Sequence, residues 1–204
     1  PLSLRVGQRY ALVLSAMSAC MPNLLDLSAQ EAVLPVVPMF HINAWCLPYA
    51  ALIAGAKLVL PGPKLDAASL HELMETEQVT VSAGVPTIWM SLIQHMEQHQ
   101  LRFTTMRRTG VGGSAMPKAL IAKFNDEFGV DVRHGWGMTE TTAIATLSQL
   151  GAAEANGPAE ARRGPPARHL LEERRRAGRK RRRDCIGWPT RAAVAGWADH
   201  FVVT

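Results

Sequence analysis

Residues His134-Gly135-Trp136-Gly137-Met138-Thr139-Glu140-Thr141-Thr142 place a Gly-aromatic-Gly turn directly before a hydroxyl and a carboxylate. Glycines admit close approach of backbone to a ligand, and the aromatic ring offers a flat face. A hydroxyl followed by a carboxylate then stands where a phosphate and its Mg²⁺ could be held. Read alone, the string is also a tight turn before a helix. Upstream, Val36-Val37-Pro38-Met39-Phe40-His41-Ile42-Asn43-Ala44-Trp45 is an apolar run ending in an aromatic, a His and a Trp, as for a buried strand reaching a pocket. His41 and Trp45, each taken singly, also read as core. Gly84-Val85-Pro86-Thr87 turns from strand to helix. Gly112-Gly113-Ser114-Ala115-Met116-Pro117 allows close approach to a nucleotide and sets Pro117 in the first turn of a helix.

Four such segments in this order resemble the adenylate-forming (AMP-binding) enzymes: acyl-CoA synthetases, luciferases and peptide-synthetase adenylation domains. Residues 135–140 match the signature G-[YW]-G-x-T-E, and 112–117 match GG-[SAE]-x-[ML]-P. Residues 84–87 match GVP-[TS], and 38–41 match P-[ML]-[FY]-H. The longer string PMFHxNAW, ending at Trp45, is similar to the fatty-acyl-CoA synthetase branch. The resemblance covers residues 11–150. It implies a piece of an ATP-dependent fatty-acid–CoA ligase, with coenzyme A as co-substrate. Trp136 would pack on adenine, flanked by Gly135, Gly137 and Met138. Thr139 would meet the α-phosphate and Glu140 would bind Mg²⁺. Gly112, Gly113 and Ser114 would form the nucleotide wall. His41 would lie beside the acyl carboxylate, Trp45 would border the acyl tunnel, and Gly84 and Val85 would flank it. The catalytic group so implied is Thr139, Glu140 and His41. Activation of an aryl or amino acid is the rival enzyme reading. A non-catalytic remnant or basic-tailed binding module is the rival of another class.

The elements that must position these residues follow from periodicity. Residues 11–20 read as a helix end and 31–41 as a buried strand. Asn43 is placed to cap a helix through Ala54, with Gly55 at its end and Pro48 as an imperfection. Strands are expected over 57–60, 79–82, 106–111 and 130–134. Asp66 caps a helix carrying Leu70, Leu73 and Met74. Pro86 opens one carrying Ile88, Leu92, Ile93 and Met96, and a third covers 117–128, ended by Gly129. Strict alternation argues for an α/β fold with a largely parallel sheet and flanking helices, which the resemblance makes a partial N-terminal domain of the adenylate-forming fold. In such sheets ligands bind beyond the carboxyl ends of the strands. Phe40-His41, Gly84, Gly112-Gly113 and residues 135–140 all fall there.

The 204 residues carry a net charge of +5, distributed unevenly. Residues 1–150 hold 10 Lys and Arg against 11 Asp and Glu, so the excess lies in the remainder. The domain reading is therefore an unmatched segment 1–10, a partial AMP-binding domain 11–150 and a basic low-complexity tail 151–204. The arginine run 174–183 lacks interleaved aromatics and reads as a solvated arm or out-of-frame text, so no nucleic-acid partner is expected. Three scattered cysteines, Cys20, Cys46 and Cys185, form no metal pair or disulfide framework, and a cytoplasmic setting is the expectation. No stretch is apolar for long enough to span a membrane. The family's phosphate loop, ribose-binding Asp and C-terminal catalytic Lys are not found. The chain is therefore expected to be inactive alone, with small-molecule substrates the partners of the whole enzyme.

Overall fold

The computed structural model describes residues 12–22, 24–137, 144 and 146–147. Residues 12–20 form helix α1. There follow β1 (Ala32–Val36), a short element α2 (Ile42–Trp45), α3 (Leu47–Ala54), β2 (Lys57–Leu58) and α4 (Ala67–Thr76). Then come β3 (Val81–Gly84), α5 (Pro86–Gln98), β4 (Arg108–Val111), α6 (Lys118–Asp126), β5 (Asp131–Trp136) and β6 (Thr146–Leu147). The strands make one sheet in the order β2-β1-β3-β4-β5-β6, parallel except for the last pair. The largely parallel α/β architecture expected from the alternation is present.

Helices cover both faces of the sheet, which is why β1 is apolar without interruption and buried at every residue. On one face α4, α5 and α6 pack Leu70, Met74, Trp89, Leu92, Ile93, Met96 and Phe124 against Leu34, Val36 and Val111. On the other, α1 and α3 pack Ala16, Ala19, Leu47, Ala50 and Ala51 against Val33, Val81 and Ala83. Small residues dominate the second face and bring α1 close to α3: the Cys20 thiol reaches the Ala50 carbonyl at 3.5 Å. Trp89 is fully buried, stacks edge-on against Phe124, and donates its indole N–H to the Gly84 carbonyl at 3.2 Å.

Asp66 caps α4 as expected, accepting the Ser69 N–H at 2.9 Å. Gly55 closes α3 at φ +70 and Gly129 follows α6 at φ +67. Several boundaries differ from the sequence reading. The strand expected over 31–41 ends at Val36. Residues 38–41 turn instead, with His41 N–H donating to the Pro38 carbonyl at 3.0 Å, and Phe40 is 91% exposed rather than buried. Asn43 is not a cap. It lies at φ 53 inside a left-handed turn, and α3 starts only at Leu47. Asn tolerates the left-handed region as readily as a cap position, and composition does not separate the two. Pro48 sits in the first turn of α3, where a missing N–H costs nothing. The third and fourth strands begin two residues later than expected.

Candidate active site

β1 delivers the chain to α2 and α3 on one face, while β3 and β4 deliver it to α5 and α6 on the other. Connections that leave a parallel sheet in opposite directions open a crevice at the carboxyl ends of its strands. One cavity lies there, open to solvent, its empty space about 660 Å³ when the solvent at its mouth is counted. Its wall includes His41, Ile42 and Trp45 after β1, Ala83 of β3, residues 110–113 at the end of β4, and residues 135–137 at the end of β5. Seven residues singled out by sequence thus converge: His41, Trp45, Gly112, Gly113, Gly135, Trp136 and Gly137.

Gly112 is where the layers meet. A Cβ there would stand 3.2 Å from the Trp45 ring and 3.4 Å from the Gly135 carbonyl. The absent side chain lets the indole of Trp45 lie against the backbone just beyond β4. Gly113 has φ +81, a conformation that disfavours any Cβ, and a side chain would meet Val85 at 3.2 Å. Val85 therefore backs the Gly113 loop, while Gly84 packs under Trp89; neither lines the cavity. Ser114 also stays off the cavity wall and is exposed. Its carbonyl accepts from His134 Nε2 at 3.0 Å, which sets the tautomer of that ring and ties β5 to the 112–114 loop.

The signature is not a turn as far as it is described. Gly135 and Trp136 belong to β5 and pair antiparallel with Leu147 and Thr146 of β6. This antiparallel ladder holds Trp136 extended at the cavity edge. A two-residue partner strand leaves no periodicity to read, so β6 escaped the sequence. Met138, Thr139 and Glu140 lie outside the described residues.

α2 places His41 and Trp45. Ile42, Asn43, Ala44, Trp45 and Cys46 all have φ between 42 and 61, so this turn is left-handed and contains no glycine. Left-handed turns of L-residues cost about 1–2 kcal/mol per residue. Complete burial of Ala44 and Cys46 and the seating of Trp45 on Gly112 act against that cost. Burial also pushes the Cys46 thiol up from its ordinary 9.0, so it stays protonated and is no nucleophile near neutrality.

Leu24, Leu25, Leu47, Ile144 and Leu147 complete the lining, and sequence reasoning missed them as site residues. Leu24 and Leu25 lie in a connection without periodicity. Among the described residues no three His, Cys, Asp or Glu side chains group as a metal site, and no helix is long and apolar enough to cross a membrane.

A profile of the family described as AMP-binding enzyme matches residues 7–194, beyond the 11–150 recognised by motif. The long-chain-fatty-acid–CoA ligase of Thermus thermophilus is 55% identical over 139 residues, covering 68% of this chain and 26% of that protein. The medium-chain-fatty-acid–CoA ligase of Ectopseudomonas oleovorans is 49% identical over 136 residues, covering 67% and 25%. Among solved structures, the N-terminal domain of FACL13 from Mycobacterium tuberculosis superposes with a TM-score of 0.60 at 29% identity, covering 68% of this chain and 34% of that one. The chain spans about a quarter of the length of the curated relatives it matches.

Proposed function

The chain belongs to the AMP-binding enzyme family, and from that premise we propose that it is a central piece of the large domain of a fatty-acid–CoA ligase. In the whole enzyme the fatty carboxylate oxygen attacks the α-phosphorus of ATP. The bond to the bridging oxygen breaks, giving acyl-AMP and pyrophosphate. The coenzyme A thiol then loses its proton, forms the thioester and expels AMP.

The observation that carries the reading is the convergence of His41, Trp45, Gly112, Gly113 and Trp136 on one largely apolar cavity at the carboxyl ends of parallel strands. Trp136, Gly135 and Gly137 offer a ring and open backbone to adenine. Gly112 and Gly113 continue that wall, with Ser114 behind it. His41 orients the carboxylate, and Trp45 with its leucine neighbours borders the acyl chain. Gly84 and Val85 support the Gly113 loop from behind. Met138 and Thr139 extend the nucleotide contacts, Thr139 to the α-phosphate. Mg²⁺ would offset phosphate charge. Its carboxylate would be Glu140. Residues 11–150 hold every one of these positions, and we treat 151–204 as a basic tail outside the site.

The test uses a protein that carries this chain within a complete domain. It is expected to exchange labelled pyrophosphate into ATP when given a fatty acid, and not when given benzoate or an amino acid. Glu140→Ala should lower that exchange by about 10²-fold, the scale of one strong transition-state contact. Exchange driven by an aryl or amino acid would overturn the substrate class. Near-normal exchange in Glu140→Ala at saturating Mg·ATP would remove Glu140 from the metal.

A further inference from the structure

Leu24 and Leu25 form part of the cavity wall, yet no strand or helix carries them. Their backbone bonds show what does. The N–H groups of residues 24, 25 and 26 turn back to the end of α1, donating to the carbonyls of Met21, Ala19 and Met21 at 2.9, 3.2 and 3.0 Å. The carbonyls of the same connection face the sheet, where two arginines take them. Arg133 of β5 donates from Nη1 to the Pro22 carbonyl at 2.9 Å and to the Leu24 carbonyl, while its Nε donates to Asp131 Oδ2 at 2.8 Å. Arg108 of β4 donates from Nη2 to the Asp26 carbonyl at 3.1 Å and from Nη1 to Asp26 Oδ2 at 3.3 Å. Arg108 is also held by Glu31 at 2.7 Å, so it belongs to the framework. Arg133 is bound differently, to this connection and to Asp131 of its own strand. Its side chain is 11% exposed.

We propose that Arg133 is a positioning residue for the apolar pocket. By clamping the carbonyls of Pro22 and Leu24 onto the sheet, it fixes Leu24 and Leu25 as the wall that sets the pocket's width. The inference rests on the proposed function for the identity of the occupant, an acyl chain. A planar fork satisfies two carbonyls and a carboxylate together. An ammonium in its place meets fewer of them, and a methyl meets none and leaves the half-buried Leu24 carbonyl without this donor.

The experiment takes the 204-residue chain and its variants Arg133→Ala, Arg133→Lys and Leu25→Ala. Amide hydrogen exchange is followed at residues 24–26. Binding of acyl sulfamoyl-adenosines of increasing chain length is measured alongside. Arg133→Ala is expected to speed exchange at those amides by about 10-fold or more, the scale of losing charge-assisted bonds, with β1 and β3 unchanged. It should also flatten the rise of affinity with chain length. Arg133→Lys should recover part of both effects, and it carries the test if the alanine variant does not fold. Leu25→Ala, which keeps the clamp, should flatten the chain-length dependence without speeding exchange. Unchanged exchange in Arg133→Ala and Arg133→Lys would overturn the clamp, whatever the ligand does. Faster exchange in those variants, with chain-length dependence kept as in the unsubstituted chain, would overturn its role in the pocket. Faster exchange with no binding by the unsubstituted chain would instead overturn the acyl reading and leave the clamp standing.

Discussion

Gly112 and Trp45 are the pair on which the site's geometry turns. The sequence marked both, but for separate reasons: one as backbone open to a nucleotide, the other as an aromatic near a pocket. That they touch each other was not legible, because nothing in a one-dimensional spacing brings residue 45 over residue 112. Added to Gly112, a methyl meets the ring at 3.2 Å and the Gly135 carbonyl at 3.4 Å. The carbonyl distance is an ordinary contact, so the strain falls on the indole, which must shift by a few tenths of an ångström. Gly112→Ala is therefore expected to cost about 1–3 kcal/mol, read as a lower midpoint of denaturant unfolding. In a Trp45→Ala background the same change should cost far less, since the atom it strikes is gone. A coupling of about 1 kcal/mol or more in the double-mutant cycle is the expected result. Strict additivity would mean the two side chains do not share that space. Phe40 gives the opposite lesson: its place at the end of an apolar run suggested burial, but the strand ends at Val36 and the turn closed by the His41 N–H on the Pro38 carbonyl leaves Phe40 exposed.

At the scale of elements, the long periodic segments were legible and the short irregular ones were not. Helices α4, α5 and α6 carry apolar residues at helical spacing, with an Asp, a Pro and a Pro at their starts. Such signals act locally and survive in sequence. The turn α2 is sustained by tertiary burial against its own backbone preference, so propensity pointed elsewhere and assigned Asn43 to a cap. The Asp66 cap yields a test with a definite sign. Its carboxyl is held below the ordinary 3.8 chiefly because the carboxylate accepts the Ser69 N–H. A carboxyl lowered by folding adds stability that is full above the unfolded value and is lost as pH falls through the folded one. The gap in melting temperature between the unsubstituted chain and Asp66→Ala should thus be constant near neutrality and close below about pH 4. A gap that persists unchanged into acid would show that the cap acts without its charge.

For the molecule as a whole, topology made the site legible before any contact was known. Alternating strands and helices force parallel pairing, parallel pairing sends the functional segments to one edge of the sheet, and the cavity is found there. What topology left out was the wall: Leu24, Leu25, Ile144 and Leu147 come from connections and a two-residue strand, where no periodicity exists to be read. On the function proposed above, this cavity holds an acyl group and an adenosine side by side. Isothermal titration of the 204-residue chain with nonhydrolysable acyl sulfamoyl-adenosines, from acetyl to dodecanoyl, tests it most directly. Each methylene that meets apolar surface contributes up to about 0.8 kcal/mol. Affinity is therefore predicted to climb with chain length and to lose that climb in Trp45→Ala while adenosine binding persists. Binding that ignores chain length, or no binding of any member of the series, would rule that occupancy out.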